Sequence, residues 1–514
     1  MKDNFSVTGL VTPGRVILAA VLGTAGYFLR PVLHTTLLYL YTNPALIEAV
    51  VVTAVAGLAI FSRVRDKDIR ELEPQDFSKY FSIISLVFVV MFGAALSLNT
   101  AYMKADMASQ VMENSEDISS LPQADADNPR ILPKSVAMQY ASNSLQTPRY
   151  RLGSADIAVT DSGVMKWSMS KVPDRTINRF VLKQEGASFV DMSTQSKNVS
   201  FIDDKMEYGE GMQVFDNLYW QLKKERFWVE YQDAVNIPHE GENYLAVPMI
   251  GYDFHFRFPL FYTTPKYEGV ALVDSSGEIE MLSPKEAAEH PVLEDQRIFP
   301  YDLARFKVSS MAYREGIINK WFIHENQLEI GDLPGYGNEQ PFTVMTEEGI
   351  ELFTSTEPFG DAQGLFEVWL MDGQTGEMER YALNRSQGLL GAQKATNYVR
   401  KSNSRVNWDR FRPSEPLPVV VEDTLYWQIR VVSGDSSGIA FTSFVNAASG
   451  DVINVQKDAG IREFLAGEET LPAGNTTEEG PDRDEVAELV VMENGNVSEK
   501  IPIYENETIE IRKR

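Results

Sequence analysis

The chain has 514 residues, a formal net charge of −26 and no cysteine. Disulfides, thiolate metal sites and cysteine nucleophiles are thereby excluded, and so negative a surface repels nucleic-acid phosphates and anionic lipid heads. Hydrophobic residues at 44% and aromatics at 11% suffice for packed cores, which excludes global disorder. The charge is uneven: residues 1–99 hold eight basic and seven acidic side chains, so almost the whole deficit lies beyond them. A protein bathed in high salt or divalent cations has such a surface, and so does an ordinary acidic soluble domain.

Residues 1–105 read as a transmembrane domain with about three spans, over 14–41, 45–61 and 80–98, each near the length a bilayer core needs. The first carries Arg30-Pro31 near its middle, where an unpaired charge costs about 2.5–3.5 kcal/mol. Arg30, His34 and Glu48 are therefore the intramembrane polar candidates: either the helix spans and Arg30 pairs with Glu48 to line a polar path, or the charges reach out to head groups, or the segment breaks at Arg30-Pro31 and part of it lies at the interface. The loop 62–79 holds Arg63, Arg65, Lys67, Arg70 and Lys79, which places it in the cytoplasm. With three spans the N-terminus is cytoplasmic and everything after about residue 100 is extracytoplasmic.

Residues 106–134, polar and acidic, read as a linker, and 466–485 as a second, disordered one. Between them three α+β units are expected, over 135–290, 291–390 and 391–465, with a terminal β-hairpin over 486–514. The alternation in Tyr252-Asp-Phe-His-Phe-Arg-Phe258 predicts a half-buried strand, with Phe254, Phe256, Phe258, Phe261 and Tyr262 facing a core or an interface between repeats. Ser283-Pro-Lys-Glu286 carries the signature of a capped helix start, and 300–315, closed by Gly316, predicts an amphipathic helix. A shorter helix is expected over 391–401.

Two patterns recur. Asp216-Asn-Leu-Tyr-Trp-Gln-Leu222 returns as Asp423-Thr-Leu-Tyr-Trp-Gln-Ile429 with five identities in seven. An apolar run, an Asx residue and a glycine return at Asp274 and Gly277, at Asp372 and Gly376, and at Asn446 and Gly450. The physics of the second is a tight hairpin: the Asx side chain caps the turn and glycine supplies a positive φ. These residues read as structural.

The strand–Asx–Gly–strand pattern, closest at 444–455 (FVNAASGDVINV) and present at 368–380, resembles the PepSY-type domain, a helix-plus-antiparallel-sheet module akin to cystatins. The resemblance implies extracytoplasmic modules that bind or restrain a partner and carry no catalysis of their own. No nucleotide-binding loop, zinc-protease helix or serine-hydrolase elbow occurs, and no two of the five histidines lie at ligand spacing. No catalytic, cofactor or metal residue is therefore assigned. The reading is a non-enzymatic, multi-pass membrane protein whose α+β ectodomain of repeated units scaffolds or regulates another envelope or membrane protein, with a homo-oligomer as one form and the lipid bilayer as its seat. The alternatives are a transport- or channel-associated subunit and an envelope hydrolase.

Overall fold

The computed structural model describes residues 13–65, 74–331, 333, 340–360, 364–383, 388–468, 485–493 and 496–504. It divides into a unit over Met1–Glu469 and a small one over Thr470–Arg514.

Three helices open the first unit: α1 (Pro13–Thr42), α2 (Pro44–Arg65) and α3 (Pro74–Asn114). Each begins on a proline, whose fixed φ suits a first turn and whose missing N–H is not needed there. Pro44 also drives the residue before it out of the helical region. The chain consequently breaks at Asn43, and the axis turns by 78° between Gly26–Thr42 and Pro44–Ala59. Asn43 Nδ2 closes the end of α1 on the Tyr39 carbonyl at 3.0 Å. Helices α2 and α3 run antiparallel: Asn99 Nδ2 donates to Asn43 Oδ1 at 3.2 Å, Ala49 and Ala95 bury together, and Gly57 lies against Ile84. The expected three spans reduce here to one or two. Among the described residues only α3 is long and apolar enough alone, while α1 and α2 qualify together as one bent pair.

Helix α3 does not end with its apolar stretch. It continues to Asn114, burying Met107, Ala108 and Val111 against Phe299, Leu303 and Val308. The expected linker over 106–134 is thus corrected: its first third is helix, β1 (Glu116–Ile118) follows, and Ile131 and Leu132 are fully buried. Its acidic side chains stand on the outer face while the apolar ones recur at helical spacing beneath them.

The fold beyond is mixed α+β, a helix followed by an antiparallel sheet, four times over. Helix α4 (Lys134–Ser144) covers a sheet of β2 (Tyr150–Val159), β3 (Met165–Pro173), β4 (Glu185–Asp191) and β5 (Val199–Lys205), with the short α5 (Asn178–Val181) between its second and third strands. Helix α6 (Leu218–Glu225) precedes β6 (Glu230–Tyr231), β7 (Val235–His239), β8 (Glu242–Arg257), β9 (Leu260–Val273) and β10 (Ile279–Leu282), in the order β10-β9-β8-β6 with β7 also on β8. After α7 (Pro284–Ala288), which carries the expected capping box at Ser283 and Glu286, comes α8 (Tyr301–Ser310). Its sheet holds β11 (Leu328–Ile330), β12 (Phe342–Thr346), β13 (Gly349–Pro358), β14 (Glu367–Met371) and β15 (Met378–Ala382), and β1 joins β15 in parallel. Helix α9 (Ala392–Ser402) covers β16 (Phe411–Val421), β17 (Thr424–Ser433), β18 (Ile439–Asn446) and β19 (Val452–Val455), and α10 (Asp458–Leu465) closes the unit. The stretch 135–290, expected as one unit, contains two sheets.

The first recurring pattern is not a structural repeat. Leu218–Gln221 lies in α6, started by Asn217, whose Oδ1 accepts the Trp220 N–H at 2.9 Å. Leu425–Gln428 lies in β17, after a tight turn in which Glu422 and Asp423 both take positive φ. The preceding residues decide between the two structures. The second unit is the hairpin β20 (Glu485–Glu493) and β21 (Asn496–Tyr504); most of 466–485, and 505–514, lie outside the described residues.

Candidate functional site

A cleft of about 550 Å³ opens between the first two sheets and the start of α8. Its walls carry cations (Arg130, Lys134, Arg297, Arg305) interleaved with acids (Asp156, Glu210, Glu230, Asp233, Asp302). The cations are mostly held by the protein. Arg297, nearly fully buried, donates to Asp156 Oδ2 at 2.8 Å and to the Phe299 carbonyl at 3.1 Å, with its guanidinium 4.0 Å above the Tyr301 ring. Arg305 donates to the Gln340 carbonyl at 2.6 Å, and Arg130 to the Thr343 carbonyl at 2.9 Å. Tyr301 bonds Thr343 through their hydroxyls, and Glu230 accepts from the Tyr252 hydroxyl.

Glu210 is the distinctive member. Its carboxylate accepts from Ser170 Oγ, and its own N–H donates to Gln184 Oε1 at 2.8 Å. Burial pushes its carboxyl up to about 7, and the neighbouring Asp233 and Asp156 carboxylates add to the rise against the opposing Ser170 hydrogen bond. A carboxyl that titrates near neutrality beside a second carboxylate has the two protonation states that acid–base chemistry needs. Sequence reasoning did not find this cleft. Its residues are spread from 130 to 343, and the nearest thing to a signal is a charge set among apolar neighbours, as in Gln296-Arg297-Ile298-Phe299.

The residues singled out from sequence lie elsewhere. Arg30, His34 and Glu48 do not meet. Arg30 donates to the Lys224 carbonyl at the end of α6, His34 Nε2 lies 3.0 Å from the Val229 carbonyl, and Glu48 Oε1 accepts the Phe261 N–H at 3.0 Å. Each holds a backbone group of the sheet-bearing part, so the Arg30–Glu48 pair and the polar path are not formed. Two of the three turns share one geometry: Asp372 and Asn446 each accept the backbone N–H groups two and three residues on, with glycine four residues on. The turn at Asp274 is one residue shorter, and its carboxylate accepts the Glu278 N–H at 2.8 Å; Gly277, Gly376 and Gly450 take φ of +88°, +77° and +79°. A Cβ on Gly376 would stand 2.0 Å from the Phe299 ring, and on Gly450 2.6 Å from Tyr398.

Phe254, Phe256, Phe258 and Phe261 are also corrected. They stand at the β8–β9 tip, exposed by about half or more, and Phe258 is 83% exposed; of the five, only Tyr262 is buried. Among the described residues no three His, Asp or Glu side chains converge as metal ligands. No family model matches the chain, and neither does any curated protein or solved structure.

Proposed function

We propose that this chain is a membrane-anchored binding protein of the cell envelope, whose extracytoplasmic ectodomain holds a polar segment of another envelope protein in the cleft. The observation that carries the reading is the state of the cleft's cations: Arg130, Arg297 and Arg305 are fixed on protein acceptors, which makes a rigid wall of alternating charge suited to recognition. Anchoring is supported by α2 and α3, where Val51, Leu58, Phe81, Leu86 and Val89 are all more than half exposed, a face that water would not tolerate and lipid would cover. The basic loop at the far end of this hairpin belongs to the cytoplasmic side. The recurrence of a helix followed by an antiparallel sheet is consistent with PepSY-like modules, which bind partners.

The test is a photo-crosslinker placed at Asp302 in the cleft, with Ser276 on the β9–β10 turn as control, in the native membrane. One discrete adduct from position 302 and none from 276 is the expected result; no adduct from either position removes the binding reading. Glu210 beside Asp233 favours a second reading, an envelope hydrolase with Glu210 as general acid. Loss of hydrolysis in Glu210→Gln with unchanged folding would establish it in place of the first.

A further inference from the structure

We propose that the Gly26–Thr42 half of α1 lies along the membrane–water interface and does not cross the bilayer, so that the chain enters the membrane at Pro44 and its N-terminus stays on the ectodomain's side. The inference rests on the anchoring by α2 and α3 proposed above, and it replaces the cytoplasmic N-terminus expected from three spans.

Geometry is the first support. With α2 along the membrane normal, a helix bent 78° from it advances little in depth. The second support is that one face of α1 is bound to the sheet-bearing part from Arg30 to Thr42. Arg30 meets Lys224 and His34 meets Val229, Leu38 is buried, and the Tyr41 ring lies 4.8 Å from both Trp228 and Phe254. The Thr42 carbonyl accepts from Thr263 Oγ1 at 2.8 Å. Positions 30, 34, 38 and 41 recur at helical spacing on one face. A spanning helix would leave the ectodomain within a turn or two and could not hold contacts over eleven residues.

The opposite face is apolar and open: Phe28, Val32 and Tyr39 are each more than half exposed. Lipid is the occupant that fits, because this face continues onto the exposed surface of α2. The β8–β9 tip marks the same level. Tyr102, just past the apolar stretch of α3, donates to the Phe258 carbonyl at 3.4 Å, and Arg257 lies 5.6 Å over its ring. Exposed Phe256 and Phe258 gather there with Trp228, and Trp is a residue type that collects at membrane–water boundaries. The arrangement also accounts for Arg30, which at the interface carries no charge into hydrocarbon.

The absence of cysteine allows single spin labels in the full chain, reconstituted in lipid nanodiscs. Phe28→Cys and Tyr39→Cys share the open face and lie eleven residues apart, ~16 Å along the axis. Phe81→Cys and Val90→Cys on α3 are the reference pair, ~13 Å apart. Collision with oxygen against a water-soluble nickel chelate gives each label's depth. The expected result is a depth difference of only ~3 Å for 28 and 39, the axial distance foreshortened by the bend, with both near the head groups and ~13 Å for the reference pair. A difference approaching ~16 Å between 28 and 39, or water contact at both, overturns the inference while the reference pair still reports an anchor. Equal depth or water contact at 81 and 90 overturns the anchoring itself.

Discussion

Glu415 offers the sharpest test of how the sheet-bearing part is held together. It sits in the β16 bulge between Ser414 and Leu417 with φ +44°, which turns its carboxylate inward, and it is 3% exposed. Its Oε2 takes Arg430 Nη2 at 3.0 Å and Arg130 Nη2 at 3.2 Å, and its Oε1 takes the Lys134 N–H at 2.8 Å. One carboxylate thus ties the start of α4 to the last sheet. Burial pulls the Arg430 guanidinium down to about 10, against the support of Glu415, so it is still charged at neutral pH. Glu415→Gln keeps the volume and removes the charge, leaving two buried guanidinium groups that share a neutral acceptor. Breaking a buried ion pair from one side costs about 3–5 kcal/mol, and the remaining amide oxygen puts this case near the lower end, about 3 kcal/mol. Urea unfolding of the full chain in nanodiscs, followed by tryptophan fluorescence, measures it. Adding Arg430→Met to Glu415→Gln removes one orphaned charge and recovers part of the loss. A loss below about 1 kcal/mol for Glu415→Gln alone would refute the reasoning, since exposed pairs are worth no more than that.

Three further outcomes follow from the same geometry. Gly376→Ala loses about 2–4 kcal/mol, from positive φ and from collision with Phe299, whereas Gly163→Ala, also at φ +77° but with open space around it, loses about 1 kcal/mol; equal losses by thermal unfolding would remove the packing argument. Glu210 and Glu351 are both raised by burial, to about 7 and about 8, with neighbouring carboxylates adding to each. The fold therefore holds protons that the unfolded chain releases above about 4.5, and the stability present at low pH is lost as pH rises through 7 and 8. Glu210→Gln should remove about 1.4 kcal/mol per pH unit of that slope between roughly pH 5 and 7, and an unchanged slope would show that Glu210 ionises normally. Asn217→Ala, which removes the cap of α6, costs about 1 kcal/mol in the same denaturation assay, and no loss would show that packing alone sets that helix.

What could be read in the sequence was what depends on near neighbours. The Ser283 capping box, the α8 start and the Asx–Gly turns are fixed within four or five residues of chain, and their residue types carry the whole signal. Readings that needed a distant partner fared differently. The apolar face of Met107, Ala108 and Val111 is masked in the sequence by the acids around it, so this end of the helix reads as a linker. The alternating phenylalanines of β8 obey the strand period, but the period cannot say that they stand exposed at the hairpin tip. The shared tetrapeptide Leu-Tyr-Trp-Gln suggests duplication, yet Asn217 starts a helix where Glu422 and Asp423 turn a hairpin. The cleft was invisible because Arg130, Glu210 and Arg305 meet only once two sheets and a helix are in place.

The central claim, an ectodomain held outside the cytoplasm by the α2–α3 hairpin, is tested most directly by labelling from one side of the membrane. Ser276→Cys and Asp68→Cys, each the sole cysteine, would be exposed in intact cells to a maleimide that cannot cross a bilayer. The account predicts that position 276 reacts at once and position 68 only after permeabilisation. Reaction of both from outside, or of neither until the membrane is opened, would contradict it.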